Sequence, residues 1–259
     1  MQRYFVAPEQ IKEGVVTITG EDAHHAVRVM RMKPEDRLIA CDGQGCTVLA
    51  SVVDAAPQEV RAEVLEKLAP DSEPAWRITI AQSLPKGDKM ELVIQKGTEI
   101  GAAAFLPFES QRMVVQYDGK KEAKRLERWG KIAKEAAEQS HRHCIPAIQP
   151  FLTWKGLLKE IGQYDLALFC YEAEGKDAHG IGIADAVRQW KREQGDGASA
   201  PRVLLIVGSE GGFTEREAKE ASEAGARLIA LGRRILRTET AGLVGLACLL
   251  YESGEMGGA

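Results

Sequence analysis

Residues 203–221 read "VLLIVGSEGGFTEREAKEA", and residues 231–250 repeat the same build with "LGRRILRTETAGLVGLACLL". In the first stretch an unbroken apolar run ends at Gly208. A loop containing Gly211 and Gly212 follows, then a helix opened by Thr214 and Glu217 at capping-box spacing. A short apolar run closed by glycine is the pattern of a strand buried on both faces, as in a parallel sheet. In the second stretch Arg233, Arg234 and Arg237 precede a helix that is apolar nearly all round, which predicts burial inside the protein or at an interface. Thr238 is the expected N-cap of that helix, with Glu239 in the first turn, where the helix dipole favours an anion. Both stretches have the order strand, glycine-containing loop, helix. The two loops are expected to build one binding site.

Working outward, the same alternation runs through the chain from Trp76. Strands are predicted at "WRITIAQSL", "AAAFLPF", "YDLALFCYE", "RVLLIVG" and "RLIALG", separated by helices of about ten residues. This is the signature of an α/β fold with a parallel sheet covered on both faces. Upstream the pattern differs. "VVTITG", "RLIACDG", "TVLASVVDA" and "EVRAEVLEKL" are short alternating strands, interrupted by one predicted helix, "EDAHHAVRVMRM". The stretch "APDSEPA" reads as a linker. Two domains are therefore expected, residues 1–70 and 71–259, and "REQGDGASA" reads as an exposed loop.

Of 259 residues, 44% are hydrophobic and 28% charged, which supports a substantial core in a globular protein. The apolar run Leu243 to Tyr251 is too short to span a bilayer, and the first ten residues lack a signal-peptide pattern. A net charge of −4 disfavours a broad nucleic-acid-coating surface, so any cationic face must be local. Cys41, Cys46, Cys144, Cys170 and Cys248 form neither a CxxC pair nor a zinc spacing, which fits reduced thiols in the cytoplasm. His141, His143 and Cys144 cluster without a matching second half, so no metal is expected.

The chemistry of the first loop is narrowed by what it lacks. Neither GxxxxGK[ST] nor GxGxxG is present. Glu210 would repel a pyrophosphate but not a ligand bearing a sulfonium and an ammonium. Gly211 and Gly212 permit positive φ and close backbone approach; a plain strand-to-helix turn is the alternative reading. For Arg233, Arg234 and Arg237, partial burial beside the apolar helix leaves two readings open: pairing with nearby acids, or facing RNA phosphates or a polar substrate edge. Upstream, His24, Arg28 and Arg31 fall at i, i+4 and i+7 of the predicted helix. Lys86, Lys89 and Lys96 precede or enter the helix after the first strand, and Arg142 with Gln139 reads as a polar contact set.

"VGSEGGFTEREAKEA" followed by "LGRRILRTETAGL" resembles motifs of the SPOUT superfamily of S-adenosylmethionine-dependent RNA methyltransferases. The second wording is similar to the ribosomal RNA small subunit methyltransferase E family, which methylates N3 of a uridine in bacterial 16S rRNA. "RYF", "HHAVRVMRMKPED", "LPKGDKMELVIQKGTEIG" and "EQSHR" extend the likeness along nearly the whole chain. Ser209 departs from it, standing where the family usually has proline. The resemblance implies a SPOUT-type parallel sheet with a C-terminal trefoil knot, preceded by a small PUA-like β-barrel. It also implies a homodimer acting on 16S rRNA within the 30S subunit. S-adenosyl-L-methionine would lie against Phe169, Tyr171, Val207, Gly208, Glu210, Gly211, Gly212, Leu231, Gly232, Ile235, Leu236 and Thr240. Arg237 and Glu239 are then the expected catalytic pair. Arg3, His24, Arg28, Arg31, Lys86, Lys96, Arg112 and Arg142 are the expected RNA contacts. A SPOUT-fold RNA-binding protein without catalysis, or a methyltransferase of a different RNA, stands as the alternative.

Overall fold

The computed structural model describes residues 1–69, 72–115, 122–171, 181–194 and 200–257. It divides into two compact units: Met1–Glu73 with Lys134–Ile145, and Pro74–Ala133 with Pro146–Ala259. Part of the expected linker (residues 70 and 71) and of the expected exposed loop (residues 195–199) lies outside the described residues.

The first unit is a six-stranded sheet of β1 (Gln2–Phe5), β2 (Ile11–Lys12), β3 (Val15–Thr19), β4 (Arg37–Cys41), β5 (Thr47–Ala56) and β6 (Glu59–Leu68), in the order β1-β4-β5-β6-β3-β2. Only β1 and β4 pair in parallel. Alternate residues point inward, as the period of two requires. Tyr4 of β1 and Ile18 of β3, from opposite ends of the strand order, enter one apolar cluster with Leu38, Ala50 and Val60. The sheet therefore curls around its core. Register shifts in β5 after Leu49 and Val52 supply bends for this.

The expected helix at "EDAHHAVRVMRM" is only partly formed. α1 covers Gly20–His24 and passes into a π turn at His25–Val29, closed by Met30 N–H donating to the His25 carbonyl at 3.0 Å. Arg31 lies beyond it in the left-handed region, φ 54°. The i, i+4, i+7 stripe is therefore lost, although His24, Arg28 and Arg31 are all exposed.

Arg3 and Arg142 correct the sequence reading more sharply. Both are buried, at 6% and 4% exposure, and both spend their guanidinium groups internally. Arg3 Nη1 donates to the Arg142 carbonyl at 2.9 Å, and Arg142 Nη2 donates to Glu73 Oε2 at 2.6 Å. Glu73 Oε1 accepts from His143 N–H at 2.7 Å and Cys144 N–H at 3.0 Å. Buried guanidinium groups need such acceptors, and these two are withdrawn from any phosphate contact. Burial opposes ionisation of Glu73, but Arg142 and the two backbone donors outweigh it and hold its carboxyl below the usual range.

The second unit is a six-stranded parallel sheet. Its strands are β7 (Arg77–Ser83), β8 (Ala104–Phe108), β9 (Ala147–Ile148), β10 (Leu166–Cys170), β11 (Arg202–Val207) and β12 (Arg227–Ile229), in the order β12-β10-β11-β7-β8-β9. Five coincide with expected strands; the two-residue edge strand β9 carried no readable period. Helices α2 (Lys89–Ile100), α3 (Glu122–Gln139), α4 (Trp154–Ile161), α5 (Ile183–Gln194), α6 (Glu215–Glu223) and α7 (Thr238–Glu252) follow the strands. The last residues of α3 belong to the first unit. α7 buries Gly242, Gly245, Leu246, Leu249 and Leu250 and leaves Cys248 and Tyr251 exposed. A Cβ at Gly245 would stand 2.7 Å from Leu205 Cδ2, so this glycine serves packing of α7 on its own sheet.

Glu73→Gln removes the charge that compensates Arg142. It should lower unfolding stability by about 3 kcal/mol at neutral pH. Because the folded Glu73 carboxyl titrates below its unfolded value, this contribution is complete above the usual carboxylate range and is lost as pH falls through the folded value. Denaturant melts of both proteins at pH 7 and pH 3 check this: the gap should shrink at the lower pH.

Candidate cofactor cleft

β7 has β8 on one side and β11 on the other, so the sheet grows in both directions from its first strand. Open parallel sheets offer a crevice at the carboxyl ends of strands around such a switch point. A cleft of about 840 Å³ lies there, lined by the loops after β11 and β12 together with Tyr171, Lys89 and Arg112. This lies within the size range of sites that take small molecules.

Each loop is held by identifiable contacts. Residues 209–212 form a tight turn, with Gly212 N–H donating to the Ser209 carbonyl at 2.9 Å. Gly212 has φ +62° and open space around it, so its need is conformational. Gly211 differs: a Cβ there would meet the Arg112 carbonyl oxygen at 2.6 Å. Its need is close approach to the loop after β8. Ser209 is buried and donates to that same carbonyl at 3.4 Å, a contact proline could not make. Glu217 completes the expected capping box with Thr214 and also accepts from Gln111 N–H at 2.7 Å.

The loop after β12 is tied to the first loop from beneath. Thr238 Oγ1 donates to the Gly208 carbonyl at 2.5 Å and accepts from Gln82 Nε2 at 2.9 Å; Gln82 Nε2 also donates to Gly208 at 3.2 Å. Thr238 is thereby taken from the role expected of it. The N-cap is Arg237, with extended backbone and no side-chain cap bond. Gln82, fully buried at the end of β7, was not singled out from the sequence; a polar residue closing an apolar parallel strand was the available signal.

Charge gathers at one wall. Glu210 Oε1 accepts from Lys89 Nζ at 2.8 Å and from Lys86 N–H at 3.0 Å. Burial works against ionisation of Glu210, yet these donors prevail and keep its carboxyl below the usual range. Lys89 Nζ also lies 3.6 Å from Glu239 Oε2. Burial pushes the Cys170 thiol, at the cleft wall, up to about 12, so it stays protonated at neutral pH. Arg233, Arg234 and Arg237 are exposed, so the burial that would have demanded acidic partners is not present.

Most residues expected around the cofactor meet here: Tyr171, Val207, Gly208, Glu210, Gly211, Gly212, Leu231, Gly232, Ile235 and Leu236 all line the cleft, as does Arg237. Three do not. Phe169 is fully buried in the apolar layer, its ring 4.1 Å from that of Phe213, because inward-facing strand residues serve the core. Thr240 is exposed on the first turn of α7; Glu239, expected as a catalytic residue, is half-buried beside it and is not among the lining residues. Of the expected RNA contacts in this unit, Arg112 lines the cleft and Lys86 is exposed, while Lys96 pairs with Glu99 at 2.7 Å. Among the described residues, no group of three or more His, Cys, Asp or Glu side chains could hold a metal ion, and no helix is long and apolar enough to cross a membrane.

A parallel sheet with a two-loop cleft at the carboxyl ends of its strands, in one chain with a small curled sheet, is the layout of an α/β ligand-binding protein with an appended small domain. Residues 71–250 match the family model described as an RNA methyltransferase domain, and residues 18–65 match an RNA methyltransferase PUA domain. The chain is 40% identical over 256 residues to the ribosomal RNA small subunit methyltransferase E of Bacillus subtilis, covering 98% of this chain and 97% of that one. It is 34% identical to the protein of the same name from Synechocystis, covering 95% and 76% of the two. The crystal structure of the Neisseria gonorrhoeae ribosomal RNA small subunit methyltransferase E bound to S-adenosyl methionine superposes with TM-score 0.82 at 30% identity, covering 97% of both chains. The chain belongs to the ribosomal RNA small subunit methyltransferase E family, and its fold is that of the SPOUT methyltransferases.

The two loop glycines should separate on substitution. Gly211→Ala forces a methyl group into the Arg112 backbone and should cost about 2 kcal/mol, as overpacking does. Gly212→Ala meets only the positive-φ penalty, roughly 1 kcal/mol, and Gly212→Asn should be close to neutral. Thermal unfolding of the three variants checks the order.

Proposed function

We propose that this protein transfers a methyl group from S-adenosyl-L-methionine to N3 of a uridine in 16S rRNA. The observation that carries the reading is the cleft itself: both loops singled out by the sequence meet in one cavity, at the place where the fold offers a ligand site. The cleft fits the cofactor in chemistry as well as size. Backbone from Gly208 to Gly212 and from Leu231 to Leu236 gives directed polar groups and close approach for an adenine and ribose. Glu210 supplies a negative wall for a ligand carrying positive charge. When bound, S-adenosyl-L-methionine supplies an electrophilic methyl carbon, whose bond to sulfur breaks with the electron pair remaining on sulfur.

The chain's own work is positioning and charge management. Uracil N3 becomes a nucleophile only on losing its proton, so a group must take it and another must stabilise charge spreading to the carbonyl oxygens. Arg237, exposed on the cleft, is assigned the second role, and Glu239, in the first turn of α7, the first. The base must leave its stack to reach them.

In this reading residues 1–70 form an RNA-binding PUA-like domain and residues 71–259 the catalytic domain. His24, Arg28 and Arg31 contact RNA from the first; Lys86, Lys96 and Arg112 do so from the second. The chain after β12 threads a trefoil knot, consistent with α7 packing behind the β11 loop that it also binds through Thr238. The protein works as a homodimer through the stripe Val244, Cys248 and Tyr251, spaced along one face of α7 and half-buried or exposed in the single chain. Its substrate is the rRNA of the 30S particle, and its place of work the cytoplasm. A SPOUT-fold protein that binds RNA without catalysis would not bind the cofactor, and calorimetry with S-adenosylmethionine separates the two.

Division of labour gives the sharper test. Arg237→Ala should lower the single-turnover rate on 30S particles by ~100-fold with RNA affinity nearly unchanged. Arg28→Ala should weaken RNA binding and reduce its salt slope by about one phosphate contact, leaving the saturating rate intact. A rate loss confined to Arg28→Ala, or an affinity loss confined to Arg237→Ala, would reverse the assignment. Tyr251→Glu should turn a dimer into monomers by light scattering, while a native monomer would remove the dimer from the reading.

A further inference from the structure

Lys89, the first residue of α2, lines the cleft without a place in the chemistry above. Its ammonium is 2.8 Å from Glu210 Oε1 and 3.6 Å from Glu239 Oε2, so one cation serves carboxylates from both loop systems. Glu239 Oε2 is buried and accepts no hydrogen bond, which leaves Lys89 as its nearest compensation among the described residues. Lys89 and Glu210 are partly exposed, at 33% and 25% of their side chains. Their fields reach the cleft through a medium intermediate between protein and water. Around the same cavity stand Arg112, Arg234 and Arg237 and, on the acidic side, Glu215.

A methyl donor of the sulfonium type and its thioether product differ by one methyl group and one unit of charge. The ratio of their affinities therefore reads the electrostatic potential of the cleft. Glu210 alone would favour the sulfonium strongly. That attraction acts on the bound ground state and weakens as sulfur loses its charge during transfer, so it opposes the rate rather than helping it. A cation fixed against Glu210 offsets this.

We propose that Lys89 is a specificity-determining residue that screens Glu210 at the cleft wall and so sets how far the site prefers the cationic methyl donor over its neutral product. This rests on the reading of the cleft as the S-adenosylmethionine site. Neutralising Lys89 while keeping its length should increase the preference for the sulfonium; neutralising Glu210 should decrease it.

The test is calorimetric titration of the full-length protein with S-adenosylmethionine and, separately, S-adenosylhomocysteine, for the native protein, Lys89→Met, Lys89→Arg and Glu210→Gln. Lys89→Met should raise the affinity ratio of donor to product by ~fivefold, the order of one unit charge acting across a solvent-open site. Lys89→Arg should keep the native ratio, and Glu210→Gln should lower it. A merely structural role would weaken both ligands alike and leave the ratio in place. An unchanged or reduced ratio in Lys89→Met overturns the proposal. If that variant loses both ligands, Glu210→Gln decides, and a ratio that does not fall there overturns it too. Failure of the native protein to bind either ligand would instead overturn the reading of the cleft.

Discussion

The carbonyl of Gly208 accepts from Thr238 Oγ1 and from Gln82 Nε2, and the cleft depends on that convergence. Three segments distant in sequence (the end of β7, the end of β11 and the start of α7) are fixed by three hydrogen bonds among buried and half-buried groups. Without them the loop after β12 would lack a defined height above the sheet. In a medium of low polarity each such bond is stronger than in water and each broken one more costly, so the arrangement is cooperative. Everything lining the cavity is referenced to it: the turn at Gly211 and Gly212, the exposed arginines, and the carboxylate of Glu210.

Charge is divided according to burial. Arg3 and Arg142 sit inside the first unit, where Glu73 and a carbonyl oxygen satisfy them. Arg233, Arg234 and Arg237 stand in the open, where water can satisfy them. The same residue type is thus an internal tie in one place and an exposed group beside a cleft in another. Distance along the chain from the apolar helix was no guide to which, since the loop that enters α7 keeps its arginines exposed up to its last residue.

The fold was legible wherever one period dominated. The five main strands of the parallel sheet and its helices were readable because apolar runs and helical stripes are local. The two-loop cleft was readable because glycines and the capping box mark strand-to-helix turns within a few residues. What failed to show was long-range. Phe169 looked like a wall because it ends a strand, but which face of a strand meets a cavity depends on layers packed from elsewhere. The π turn at His25–Val29 rests on one extra residue in a helix, which leaves no pattern in composition. Gln82 was invisible as a tie because the two acceptors through which it joins the loops, the Gly208 carbonyl and Thr238 Oγ1, lie more than a hundred residues away.

Residues 134–145 belong to the first unit although the chain reaches them only after building two strands, one helix and most of another of the second. During synthesis the first seventy residues therefore emerge without the Arg142 carbonyl that Arg3 requires, and without Glu138, which accepts from Phe5 N–H. Domains generally fold in order of emergence, but here the earlier unit stays chemically incomplete until the later one is under way. The ribosome must pass residue 145 before the buried arginine finds its acceptor. The nascent chain is thus held to a fixed sequence of events, in which the small unit closes after, and not before, the large one has begun.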